Sequence, residues 1–416
     1  MNSKERVMDA LNFKNGKVPF DIGAAPTSGI HVKPLDALRD YYNLDKRPVK
    51  VIEPLQMLGL VEEDLKEAMG IDTDMLWNPN TLFGNFNDKF KEWKTPWGQI
   101  VLISEDFAYD EKEGEINVYA CGDRNYPPSA MMTEGGYFFD AKVRDSGFDE
   151  NNISLEDNIE EFTLIDDRTL SYLKREMKNV DNTKAVLGNF GSTGIGDIAL
   201  VPGTFLKNPK GIRDITEWYI STITRQDLLH EIFEYQVDIA LKNLKKIWDI
   251  VGDSVQVAYI CGNDFGTQNG QFCSKETFDN LYMPHYKKIN EWVHKNTTWK
   301  TFKHSCGSIE PLIPSMIESG FDILNPVQWS AKNMDRNHLK DRFGKDIVFW
   351  GGGVNTQKTL RFGTPDQVEK EAIESCEIFS KDGGYVFNPI HNITADVPVE
   401  NIAALATAIK RFNGEL

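Results

Sequence analysis

Eight short runs of apolar and β-branched residues recur along the chain, each closed by Gly, Asn, Asp or Pro: 18–23, 73–78, 185–191, 255–261, 299–306, 323–328, 347–353 and 385–391. Two of them, VQVAYIC and DIVFWGGG, are almost unbroken apolar runs. That is the pattern of parallel strands covered on both faces, since a strand with one wet face would alternate. Over 227–251, 275–296, 310–319, 365–381 and 398–412 apolar residues return every three to four positions, the spacing of an amphipathic helix. MNSKERVMDALNFKNG at the start reads as a further amphipathic helix that ends at Gly16. Strand and helix therefore alternate, which predicts a parallel sheet with crossover helices. Eight repeats close most simply into a (β/α)8 TIM barrel of the α/β class. A doubly wound open sheet is the competitor, but no GxGxxG follows the first strand.

A barrel of this kind needs about 250 residues, so a chain of 416 carries a surplus. The pattern places it at 81–173, where WKTPWGQIVLISEDFAYD and EGEINVYACGD alternate β-formers with turn residues and show no helical period. This stretch is read as a β-rich excursion from one strand-to-helix loop after an early strand. It would pack beside the barrel mouth, inside a single domain spanning 1–416.

Composition narrows the partners. A formal charge of −17 repels phosphate backbones, and no basic run offsets it, which argues against nucleic acid and against polyanionic small substrates. No segment approaches the ~18 apolar residues of a membrane span, and the N-terminus lacks an apolar signal core, so a cytoplasmic protein is expected. Five cysteines without paired spacing fit a reduced compartment. A homodimer is the default assembly.

Chemistry in such a barrel gathers at the C-terminal ends of the strands. FKHSCGS puts His304 and Cys306 at one such end, two residues apart and hence on one side of the strand. The spacing admits two readings, a metal clamp of imidazole and thiolate or a packed cysteine beside a hydrogen-bonded histidine. The eighth run delivers His391 to the same mouth, and three such donors with a fourth position open is the arrangement of a catalytic zinc site. CGNDFGTQ, also at a strand end, offers Asp264 as a general acid or further ligand and Gln268 as a substrate contact, with a turn cap as the alternative. Asn355 and Gln357 supply amides after Gly351-Gly352-Gly353, and Asp21 ends the first strand. Of the rest, Cys376 falls on an apolar helical stripe, Cys121 and Cys273 lie in loop-like surroundings, and His230, His285, His294 and His338 are expected at the surface.

Taken together, HSCGSIEPLIPSMIESGFDILNPVQ, FWGGGVNTQ followed by FGTPDQV, and GYVFNPIHNITADVPVENI resemble the uroporphyrinogen decarboxylase (URO-D) superfamily, at lower density from about residue 18 onward. The resemblance implies the same barrel. True uroporphyrinogen decarboxylases carry an arginine-rich motif after the first strand to receive the porphyrinogen carboxylates, whereas DIGAAPTSGIH here has no arginine. The cobamide-dependent methyltransferase branch is similar in its His-x-Cys pair, matched by His304 and Cys306, and in a third zinc ligand on the last strand. That ligand is usually cysteine, and here His391 stands in its place. This branch implies bound Zn2+, a small methylated substrate (ether, amine or thiol) and a corrinoid supplied by a partner protein. The alternatives are a metal-free decarboxylase and a non-catalytic small-ligand-binding barrel.

Overall fold

The computed structural model describes residues 2–144 and 153–416. Its centre is a seven-stranded parallel sheet: β1 (Thr73–Trp77), β2 (Ala185–Asn189), β3 (Val257–Cys261), β4 (Lys300–His304), β5 (Ile323–Asn325), β6 (Val348–Trp350) and β7 (Tyr385–Val386), each paired with the next in chain order. Residues 18–23 fill the gap between the two edges. Phe20 pairs with Phe387 in parallel, with Asp21 N donating to Phe387 O at 2.9 Å, and on the other side Asp72 N donates to Phe20 O at 2.8 Å. The eight runs of the sequence are thus the eight staves of a (β/α)8 barrel.

The staves are buried on both faces, as their composition requires. Ala185, Leu187, Val257, Phe302, Ile323, Val348, Trp350 and Val386 pack together, and Val7, Ala10 and Leu11 of the first helix join the same cluster. That helix, Ser3–Leu11, opens on a capping box between Asn2 and Glu5. It stops well short of Gly16. The Asn12 side chain donates to Met8 O at 2.7 Å, and Phe13 takes a left-handed φ of 56°.

The later helices follow their patterns, as Gln226–Val251, Pro365–Phe379 and Val399–Phe412 show. The reading of His285 as a surface residue is corrected. It is buried, with Nε2 3.0 Å from His230 Nδ1, because Tyr282, His285, Tyr286, Ile289 and Val293 form one inward stripe at helical spacing. Cys376 is buried, as its stripe indicates. Among the described residues no helix is long and apolar enough to cross a membrane.

Among the described residues, the connection between β1 and β2 contributes strands to two four-stranded sheets. One contains Phe90–Lys94 and Ile100–Ser104, and it also recruits Val49–Glu53 and Leu58–Gly59 from before residue 81, with Val49 pairing in parallel with Val101. The other contains Tyr109–Lys112, Glu115–Val118, Ala130–Met132 and Asp140–Ala141. Edge-on, tilted and stacked contacts among Phe83, Trp93, Phe107 and Phe139, with centroids 5.2–6.5 Å apart, bind their core. Residues 145–152 of the expected 81–173 excursion lie outside the described residues.

Candidate metal centre

His304 is the last residue of β4, and the chain turns immediately after it. Ser305 N donates to Asn325 O at 2.7 Å, Cys306 N to Asp264 Oδ1 at 2.6 Å and Gly307 N to Gln328 Oε1 at 2.7 Å, so three successive amides are fixed by the end of β5 and by the loops after β3 and β5. Gly307 has φ +86°, and a Cβ there would stand 2.3 Å from the Gly266 carbonyl carbon. The loops after β3 and β4 therefore touch backbone to backbone, which only glycine permits. This crossing holds the Cys306 Sγ 3.2 Å from His304 Nε2.

The other imidazole nitrogen is already committed. His304 Nδ1 lies 2.6 Å from Asn325 Oδ1, which also accepts from Thr27 Oγ1 at 3.0 Å, while Asn325 Nδ2 donates to Trp350 O at 2.8 Å. With the amide so oriented, Oδ1 is the acceptor and Nδ1 must carry the hydrogen. The Nε2 lone pair is then free and aimed at the thiol, the ordered-tautomer device of metal-binding histidines. Asn325 is fully buried and was not singled out from the sequence, although an amide inside the apolar run DILNP is itself a signal. Asn325→Ala is expected to weaken zinc binding roughly 10–100-fold while leaving the thiol in place, measured by competition with a chromogenic chelator; unchanged affinity would contradict this role.

His391 arrives from the loop after β7. Asn392 anchors that loop, accepting from Gly29 N at 2.6 Å and donating to Pro26 O and Gln56 Oε1 at 2.9 Å each. The His391 ring stands 5.4 Å from that of His304 at 74°. Ligand atoms of His304, Cys306 and His391 all lie within 4.8 Å of one another. A tetrahedral zinc with bonds of about 2.0 Å to nitrogen and 2.3 Å to sulfur needs donors about 3.3–3.6 Å apart, so small side-chain rotations close the shell. The donors fit the ion.

Protonation also suits a metal. Burial lowers His304 to about 4 and lowers His391 as well, leaving both imidazoles neutral at pH 7. Burial and the neighbouring Asp264 carboxylate hold the Cys306 thiol well above its ordinary value, so it keeps its proton until a cation displaces it.

Of the remaining expected residues, Asp264 joins the trio, with Oδ1 3.5 Å from His304 Nε2. Gln268 and Gln357 meet each other at the exposed rim, Nε2 to Oε1 3.4 Å. Asn355 is buried, and its Oδ1 accepts from the Gln357 and Lys358 amides at 2.9 and 3.2 Å, which shapes their loop. Asp21 is fully buried, accepting from Thr73 Oγ1 at 2.6 Å and Trp350 Nε1 at 2.8 Å, and burial raises its carboxyl. Lys303 passed unnoticed in the sequence. It is fully buried on β4, donating to Asn263 O at 2.7 Å and to His304 O, with its ammonium 5.1 Å from the Phe265 ring.

The family model "Uroporphyrinogen decarboxylase (URO-D)" matches residues 204–412, the half of the chain that contains the centre. The chain is 26% identical over 101 residues to a uroporphyrinogen decarboxylase of Coxiella burnetii, covering 24% of this chain and 26% of that one. It is 25% identical over 163 residues to one of Vesicomyosocius okutanii, covering 39% and 43%. The chain thus spans less than half the length of these curated relatives. A solved methyltransferase from Methanosarcina mazei shares the fold over 99% of both chains, with a TM-score of 0.58 at 15% identity. With the motif residues and the barrel in agreement, the chain belongs to the uroporphyrinogen decarboxylase (URO-D) family.

Proposed function

We propose that this chain is a methyltransferase that holds zinc on His304, Cys306 and His391 and moves a methyl group between a small methylated substrate and a corrinoid carried by a separate protein. The observation that carries this reading is the convergence of two neutral imidazoles and a thiol within 4.8 Å at the barrel mouth. The fold shared with the Methanosarcina mazei methyltransferase is in keeping with it. Zinc, when bound, supplies a Lewis acid that draws electron density from the methyl-bearing heteroatom.

The chain's own groups do the rest. Asn325 fixes the His304 tautomer, and the Gly307 crossing fixes Cys306. Asp264 holds the Cys306 amide with one oxygen and is partly exposed to the mouth, where it would take or give the proton of the substrate heteroatom. Gln268 and Gln357 guide substrate at the rim. Asp21 and Asn355 serve indirectly, Asp21 by steadying Trp350 inside the barrel and Asn355 by shaping the loop of Gln357.

Decarboxylation, the activity for which the curated relatives are named, is the second reading. The first stave and its loop, residues 18–31, hold no arginine to receive several carboxylates. One experiment separates the two. Zinc-loaded protein mixed with cob(I)alamin and methylated donors should generate the methylcobalamin absorption spectrum, and His304→Ala should not. Metal-free protein that decarboxylates a porphyrinogen and forms no methylcobalamin would overturn the proposal.

A further inference from the structure

Loops run over the outside of proteins because their backbone groups need partners that water can supply. The loop after the first stave does not. Of residues 21–31 all but Pro26 are buried. The loop answers most of this cost internally. Ala24 N donates to Asp21 Oδ1 at 3.2 Å and Ala25 N to Ser28 Oγ at 3.0 Å. Gly23 N donates to Ser28 O at 2.8 Å and Ser28 N to Ala25 O at 3.1 Å. Trp77 Nε1, from β1, donates to Ala24 O at 3.0 Å. Gly23 turns the chain at φ +95°, where a Cβ would stand 2.7 Å from the Val61 side chain. So braced, the loop behaves as one stiff piece.

Its other bonds go to the two sides of the metal centre. Thr27 Oγ1 donates at 3.0 Å to Asn325 Oδ1, the atom that lies 2.6 Å from His304 Nδ1. On both flanks of Thr27 the backbone holds the neighbour of His391. Gly29 N donates to Asn392 Oδ1 at 2.6 Å, and Asn392 Nδ2 donates to Pro26 O at 2.9 Å. Ile393 N adds a bond to Gly29 O at 2.9 Å. Four successive residues, 26–29, thus reach one histidine through Asn325 and the other through Asn392.

The two histidines come from staves that β5 and β6 separate in the sheet, yet their rings stand 5.4 Å apart. Donors from separate staves bind one ion tightly only if their spacing is fixed beforehand, since otherwise binding must order them. We propose that residues 26–29 are a clamp that sets the spacing of the two imidazoles, with Thr27 the positioning residue for His304 and Asn392 the positioning residue for His391. This rests on the zinc-binding part of the methyltransferase reading and extends it to residues outside the ligand set.

The test compares Thr27→Val, close to threonine in volume but without the donor, with Thr27→Ser, which keeps it. Zinc affinity, read by competition with a chromogenic chelator, should fall roughly tenfold in Thr27→Val and stay near wild type in Thr27→Ser. In an Asn325→Ala background the valine should change affinity by less than about twofold, because Thr27 acts through that amide. A valine that merely loosened the fold would weaken binding by the same factor in both backgrounds, and that result would overturn the clamp. Asn392→Ala tests the other arm and should also weaken zinc binding roughly tenfold. Melting curves show that each variant is folded. A second readout needs no metal: in zinc-free protein with labelled histidine, the nuclear Overhauser effect between the His304 and His391 rings should persist in Thr27→Ser and weaken in Thr27→Val and Asn392→Ala. Wild-type protein that takes up no zinc yet shows this ring pattern refutes the methyltransferase reading alone. Zinc-binding protein whose affinity and ring contact are unchanged by Thr27→Val and Asn392→Ala refutes the clamp alone.

Discussion

Zinc uptake at pH 7 should release about one proton per ion, and Cys306→Ala should abolish that release while weakening binding by a factor on the order of 10²–10³. The sign follows from the protonation of the free site. His304, lowered to about 4, and His391, also lowered, are already neutral at pH 7 and give up nothing. The Cys306 thiol, held well above its ordinary value by burial and Asp264, is protonated and must lose its hydrogen to become a ligand. Affinity should therefore rise about tenfold per pH unit around neutrality. Titration calorimetry in buffers of different ionisation enthalpy counts the protons. A count of zero, or unchanged affinity in Cys306→Ala, would place the ion elsewhere.

The second large effect concerns a residue with no side chain. Gly307→Ala should destabilise the protein by at least about 3 kcal/mol. Its φ of +86° is one that an L-residue adopts only under strain, and the added methyl would stand 2.3 Å from the Gly266 carbon and 2.4 Å from its oxygen. Backbone cannot swing aside as a flexible side chain can, so the two loops must separate. Because Cys306 N is tied to Asp264 across the same crossing, zinc binding should fall with stability. Gly270→Ala is the control. Nothing lies within 4 Å of its Cβ position, and its cost should stay within about 0.5 kcal/mol. Urea denaturation of both variants measures the contrast.

These loops also show where the sequence is informative and where it is not. Barrel staves are buried on both faces, so each appears as a continuous apolar run, and all eight could be found even though β7 is only two residues long and 18–23 pairs through a single bridge. His304 and Cys306 could be paired because their separation is local and the strand period fixes its meaning. Asn325 and Lys303 could not be assigned roles, because a polar residue in an apolar run contradicts the pattern, and its partners, Thr27, Trp350 and Asn263, come from remote segments. The same long range hides the pairing of Val49 with Val101. His285 is a different case, since its helical stripe was present in the sequence and its polarity outweighed its position.

The most direct test of the centre is X-ray absorption at the zinc edge on the loaded protein. One sulfur at about 2.3 Å and two imidazole nitrogens at about 2.0 Å are expected, with the sulfur lost in Cys306→Ala and one nitrogen lost in His391→Ala. A shell without sulfur, or one that neither substitution alters, would show that these three side chains do not bind the ion together.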